Sequence, residues 1–219
     1  MVLNAIINRK SVRSYSEKPV SDGDIKSILE AGIMAPSWVN VQPWQFIVVK
    51  NQEHKDILSK AAGGQKQVSS ASALICCVAD MTAWEADKFS KVMEKQGRDS
   101  QTREYILASK MLNPSLLGEY ETLLRTVEQM SYAIGYMTLR AEESGIGCCI
   151  VGAVSNELTS KEEGSIRSVK EMLGLGEKQI LLSILALGYE KAPSAALKSR
   201  KNFDEVVSFE KIGNKFQVV

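Results

Sequence analysis

Leu116, Tyr120, Leu123, Val127, Met130, Ile134, Met137 and Ala141 follow one another in alternating steps of four and three. Only an α-helix brings such a series onto one face. The spacing predicts a single helix from about Ser115 to Ser144, roughly 45 Å long at 1.5 Å per residue, with Gly145 as its C-cap. A small domain is hardly longer than this element. The helix is therefore expected both to run through the core and to be shared across a dimer.

The remaining pattern alternates helices with short buried strands. Val2, Leu3, Ile6 and Ile7 form one helical face, which the polar run Asn8 to Ser11 ends. Ser21, with Asp24 three residues on, reads as an N-cap ahead of Ile25, Ile28, Leu29 and Ile33. Pro36 stops that helix and opens a loop to Trp44. Phe46 to Val49, Ala73 to Ala79, Gly147 to Val151 and Ile180 to Leu187 read as strands, and Asn51 to Ala62 and Ile166 to Leu173 as helices. Residues 84–112 read as two polar helices without a strong apolar stripe, and the segment at about 81–113 as a peripheral excursion. The tail beyond Pro193 is polar and closes with Phe203 to Phe209. One α+β domain over 1–219 accounts for all of this.

Composition excludes several classes of function. A formal net charge of +1 and no basic stripe argue against a nucleic-acid partner. The longest apolar run, Ile180 to Leu187, is too short for a membrane span, and the N-terminus lacks the order of a signal peptide. Cys76-Cys77 and Cys148-Cys149 are adjacent pairs whose members point to opposite faces of a strand. They suit neither a disulfide frame nor a metal knuckle, so the expected compartment is the reducing cytoplasm. The one histidine, His54, falls on a polar helix, and no metal site or Ser-His-Asp arrangement can be assembled.

Three segments could carry chemistry. Arg9-Lys10-Ser11-Val12-Arg13 puts three cations and a hydroxyl where a helix ends, as a phosphate would require. The loop from Pro36 to Trp44 offers Ser37, Asn40 and Gln42 between stiffening prolines. Gly145 to Gly152 offers backbone open to close approach, but without the order of a dinucleotide fingerprint.

Taken in order, Arg9 to Arg13, the AP-S-x-x-N-x-QPW-x-F loop, the G-I-G-x-C-x-x-G segment, Leu187-Gly188-Tyr189 and the K-x-R-K tail resemble the nitroreductase family of FMN enzymes. The likeness runs from near Asn4 to about Glu210 and omits the excursion. It implies a three-layer sandwich, a mostly antiparallel sheet flanked by helices, dimerised through the long helix with two shared FMN sites. Arg9, Ser11 and Lys10 would meet the FMN phosphate and ribityl chain, completed by Lys198 and Arg200, with Arg13 at the flavin N1/O2 edge. Pro36, Ser37, Asn40 and Gln42 would reach the same flavin from the other subunit. The amides of Val151 and Gly152 would approach N5 and O4, and Ile150 would pack on the ring. One of Gln65 and Gln67 would touch the ring or ribityl, and the residues leave open which.

The implied activity is hydride transfer from NADH or NADPH to nitroaromatics, quinones or a related small acceptor in ping-pong fashion. The alternatives are a specialised member such as a dehalogenase or flavin-cleaving oxygenase, and a non-catalytic flavin carrier or sensor. Trp38 and Val39 stand where acceptor choice would be shaped. Ser72 replaces the usual proline after Ala71, and Cys148 and Cys149 are read as core packing.

Overall fold

The computed structural model describes residues 2–160, 162–192 and 198–216. Pro193, where the tail was expected to begin, lies outside them. Strands β1 (Trp44–Val49), β2 (Ala73–Asp80), β3 (Gly147–Val151) and β4 (Gln179–Gly188) form one sheet in the order β1-β2-β4-β3. All three pairings are antiparallel. β2 is buried along its whole length, and its side chains divide between the two faces. Leu74, Cys76 and Val78 join one core cluster, while Ala73, Ile75 and Cys77 join the other. That alternation is the period of two expected of any strand, with helices covering both faces.

Nine helices are described: α1 (Val2–Asn8), α2 (Asp22–Ile33), α3 (Gln52–Ala61), α4 (Lys66–Ser69), α5 (Ala86–Lys95), α6 (Ser100–Ala108), α7 (Glu119–Glu143), α8 (Glu163–Leu173) and α9 (Phe203–Val206). α2 starts at Ser21, whose hydroxyl accepts from the Asp24 N–H at 3.1 Å. α3 starts the same way at Asn51 and stops at Gly63 and Gly64, both in the left-handed region that glycine adopts freely. Leu58, Val68 and Val169 cover one face of the sheet, from α3, α4 and α8. Ile25 and Ile28 of α2, with Met130, Ile134 and Met137 of α7, cover the other. Each such side chain, fully buried, stabilises the fold by about 1.5–3 kcal/mol before chain entropy is set against it. The result is the expected three-layer sandwich. The four cysteines are free and buried, and each adjacent pair sends one thiol to each face.

The long helix differs from the pattern at its start. Pro114–Leu116 form a separate 3-10 turn, and Gly118, at φ 145°, precedes Glu119. Leu116 and Tyr120 are exposed, so the expected seam is buried only from Met130 onward. Toward its N-terminus the buried face is polar instead: Thr122, Thr126 and Gln129. The cause is the segment packed there. A 3-10 turn at Met81–Trp84 leads into α5 and α6, and Trp84, Phe89, Met93 and Ile106 build a satellite core with Val41. The expectation of helices without a stripe is therefore corrected, since α5 buries Phe89 and Met93 one turn apart. Trp84 Nε1 donates to Thr126 Oγ1 at 2.9 Å, which explains a hydroxyl inside the helix interface. α4 was missed in the sequence; four residues carry too little period to read. No described helix is long and apolar enough to cross a membrane.

Candidate active site

The stretch after α1 is fastened to the free edge of β3. Ser11 pairs with Cys148 in a parallel bridge, and the Val12 N–H donates to the Cys148 carbonyl at 2.9 Å. Two glycines permit the approach. A Cβ on Gly147 would stand 2.9 Å from the Val12 side chain, and one on Gly188 would stand 2.7 Å from the Tyr15 ring. The Tyr15 hydroxyl lies 2.8 Å from the Val12 carbonyl oxygen and 3.1 Å from that of Ala186. Burial holds its pKa above the ordinary tyrosine range.

Cations gather at this edge. Arg9, Lys198 and Arg200 line one open cleft of about 560 Å³, against Gly135 and Thr138 of α7. The Lys198 ammonium donates to the carbonyls of Ile6, at 3.1 Å, and of Ile7, at the C-terminal end of α1 where such groups lack helical partners. Partial desolvation, then the charges of Arg200 and Arg9, hold its pKa below the usual lysine range. Among the described residues no carboxylate makes an ion pair with Arg9, Arg13, Lys198 or Arg200. Lys10 differs, being turned to Glu190 at 2.8 Å. Burial pushes the Cys148 thiol up to about 12, against the opposing pull of Arg9. Cys149 is raised in the same way, against Arg13 and Arg9. Both thiols are thus protonated packing groups beside a positive edge.

The open edge continues through Ile150 to Gly152. In a strand the N–H and C=O of one residue point to the same side, and successive residues alternate. Since the Cys148 carbonyl faces Val12, the amides of Ile150 and Gly152 face outward, whereas Val151, paired with Ile184, faces β4. Ile150 is exposed, and a Cβ on Gly152 would meet nothing within 4 Å. Gln65 Nε2 donates to the carbonyls of Ala62 and Ala153, at 3.0 and 3.3 Å, and Gln67 Nε2 donates to Gln65 Oε1 at 2.5 Å. Both glutamines therefore stand against the turn that follows β3.

The loop from Pro36 to Trp44 lies elsewhere. It feeds β1, at the opposite edge of the sheet. From there to the 9–13 segment is four strand spacings, roughly 19 Å. Val39, Asn40 and Gln42 have φ of 49°, 57° and 52°, a region that costs a β-branched residue most. Ser37 supports the turn, its carbonyl accepting from the Asn40 N–H at 2.9 Å and its hydroxyl from the Gln42 N–H at 3.0 Å. Pro36 is exposed. Trp38 is pinned three ways. Its N–H donates to Gln129 Oε1 at 2.7 Å, its Nε1 to the Leu112 carbonyl at 3.1 Å, and the Arg125 guanidinium lies 4.5 Å from its ring centre. Gln129 and Arg125 escaped the sequence reading, because neither stands on the apolar seam. Ser72, the departure after Ala71, accepts from the Val20 N–H at 2.8 Å while its own N–H donates to the Leu187 carbonyl at 2.9 Å. A proline could do neither.

Comparison with known proteins bears on the family and the fold. The chain is 28% identical over 193 residues to the NADH dehydrogenase of Thermus thermophilus, covering 84% of each. It is 26% identical over 194 residues to the FMN reductase [NAD(P)H] of Bacillus subtilis, covering 89% of this chain and 68% of that protein. The crystal structure of a nitroreductase-like protein from Streptococcus mutans superposes with a TM-score of 0.79 at 22% identity, covering 95% of this chain and 97% of that one. The model of the nitroreductase family matches residues 6–189, and with the sheet edge, the loop and the cation cluster in the expected order, the chain belongs to the nitroreductase family.

Proposed function

We propose that this chain is an FMN-dependent oxidoreductase of the cytoplasm, taking electrons from NADH or NADPH and passing them to a nitroaromatic, a quinone or a related small acceptor. The observation that carries the proposal is the cluster of Arg9, Lys198 and Arg200, three cations lining one cleft, none of which makes an ion pair among the described residues. Cations gathered in one cleft suit a phosphate dianion, which would relieve their mutual repulsion. The neighbouring edge at Ile150 and Gly152 is bare enough for a planar ring to approach the backbone. FMN would supply both the phosphate and a two-electron carrier.

The residues then divide the work. Arg9, Ser11, Lys198 and Arg200 hold the phosphate and ribityl chain, with Lys10 kept beside them by Glu190. Arg13, exposed and without an ion pair among the described residues, offers positive charge to the ring edge that gains electrons. The outward amide of Gly152 is the donor toward N5 and O4, Ile150 packs on the ring, and Gln65, steadied by Gln67, borders it. Pro36, Ser37, Asn40 and Gln42 come from a second copy, because one chain carries the two half-sites at opposite sheet edges. The dimer this requires has apolar surface at hand: Val2, Leu3, Ile6 and Ile7 on α1, and Tyr132 and Tyr136 on α7, are all exposed.

Released-cofactor mass spectrometry and light scattering should find one FMN per subunit in a dimer. One ring face must serve donor and acceptor in turn, so initial rates varied in both should give parallel double-reciprocal lines. Protein that cannot be loaded with FMN would end this reading. Intersecting lines would remove the shared-face mechanism alone.

A further inference from the structure

A second cleft, also of about 560 Å³, opens between the 36–44 loop and α5. One wall carries Asn40, Gln42 and Gln45, and the other carries Lys88, Val92, Lys95 and Gln96. The α5 residues fall at i, i+4, i+7 and i+8, a single helical face. The acids of α5 lie off that face: Asp87 meets Lys91 at 4.0 Å and Glu94 meets Arg103 at 3.4 Å. The one acid lining the cleft, Asp80, has its oxygens occupied. Oδ1 accepts from the Thr82 N–H at 3.0 Å and hydroxyl at 2.6 Å, and Oδ2 from Gln179 Nε2 at 3.0 Å. Lys95 has no ion pair among the described residues, and Lys88 reaches Glu85 only at 3.4 Å, where Lys178 already stands at 3.0 Å. Lys88 and Lys95 are two helical turns apart, about 10 Å along the axis.

We propose that this cleft takes the phosphate-bearing half of the dihydronicotinamide dinucleotide, with Lys88 and Lys95 as its anion contacts. The inference rests on reading Asn40 and Gln42 as contacts to the cofactor of the second copy. If those amides border the ring, the cleft they line opens beside it, where the donor's nicotinamide must sit. The rest of the donor then runs along the cleft. Its phosphates need cations, and the chain has no glycine-rich dinucleotide turn to supply N–H groups in their place. The cations at the other sheet edge are already committed to the cofactor phosphate. The α5 face is the charged wall that remains in reach, and two amides, Gln45 on the facing wall and Gln96 at the C-terminal end of α5, suit a ribose. On this reading the excursion sorts donors.

The test compares donors on the FMN-loaded dimer. KM and kcat are measured for NADH, NADPH and the phosphate-free 1-benzyl-1,4-dihydronicotinamide, in wild type and in Lys88→Gln/Lys95→Gln. Both lysines are solvent-facing, and the packing of α5 rests on Phe89 and Met93, so the variant should fold. The expected result is a rise of tenfold or more in KM for both dinucleotides, a flatter salt dependence of kcat/KM, and rates with the benzyl donor within twofold of wild type. Lys88→Arg/Lys95→Arg should restore the dinucleotide KM. Unchanged dinucleotide KM in a variant that still turns over the benzyl donor would overturn the inference and leave the proposed function standing. An equal loss with all three donors would overturn it too, since the lysines would then act on the ring site. Wild-type protein that holds no FMN would take both readings down together.

Discussion

The two proposed half-sites are held in place by opposite means. The 9–13 segment is extended backbone tied into the sheet, steadied by a bridge to Cys148 and by the Tyr15 hydroxyl, and its proposed ligand groups are charges, of which Lys10 alone makes an ion pair among the described residues. The 36–44 loop has no charged residue and much strain. Three non-glycine residues sit at positive φ, and the restraint comes from side chains distant in sequence, Gln129, Arg125 and the satellite core around Trp84. Strain of roughly 1–2 kcal/mol at a residue such as Val39 persists only where surroundings over-determine it. The edge should therefore be robust in shape and fragile in charge, and the loop the reverse.

The largest expected effect tests the charge half of that contrast. Arg9→Ala and Arg200→Ala should each weaken FMN binding by about 2–3 kcal/mol, the scale of a lost charge-assisted contact. Their melting temperatures without cofactor should hardly move, because neither side chain makes an ion pair among the described residues. A large loss of apo stability would show that the edge depends on those cations and would break the comparison. Gly188→Val asks about shape instead. The new side chain must displace the Tyr15 ring, and denaturant unfolding should show a loss of about 3 kcal/mol, accompanied by detachment of the 9–13 segment.

How much of this contrast is visible in sequence follows from what each side is made of. β3 and the core of β4 stand out as short apolar runs, and Ser21 and Asn51 as caps, since those signals are local. The start of α7 is misread because Leu116 and Leu117 continue the apolar rhythm across Gly118, whose φ of 145° ends it. The clamp on the loop is invisible for a different reason. Trp38 and Gln129 are 91 residues apart, and nothing near either one announces the other. The family likeness named the residues of both proposed half-sites by motif, but not their placement at opposite edges or the supports beneath the loop.

Gln129→Leu sharpens the loop side. It leaves the Trp38 N–H without its acceptor at a site only 2% exposed, so stability should fall by about 2 kcal/mol in chemical unfolding. Bound FMN should be held more weakly as well, because Asn40 and Gln42 lose their fixed position. Wild-type affinity in a destabilised protein would show that the loop needs no such pinning. The smallest effect is a gain. Val39→Asn places a residue that tolerates positive φ where a β-branched one stands, and should raise stability by up to about 1 kcal/mol, read as a shift in the urea midpoint. A loss there would mean that Val39's packing against the satellite core of Met93 and Trp84 outweighs its strained backbone.

The separation of the two edges across one sheet reaches into genetics. Under the dimeric reading, each working centre draws its phosphate grip from one polypeptide and its loop from the other. A cell that carries one allele damaged at Arg9 and another damaged at Asn40 would assemble mixed pairs in which one centre receives both intact halves and the other receives neither. Two null alleles would then rescue each other in trans, whereas two alleles damaged at the same edge could not.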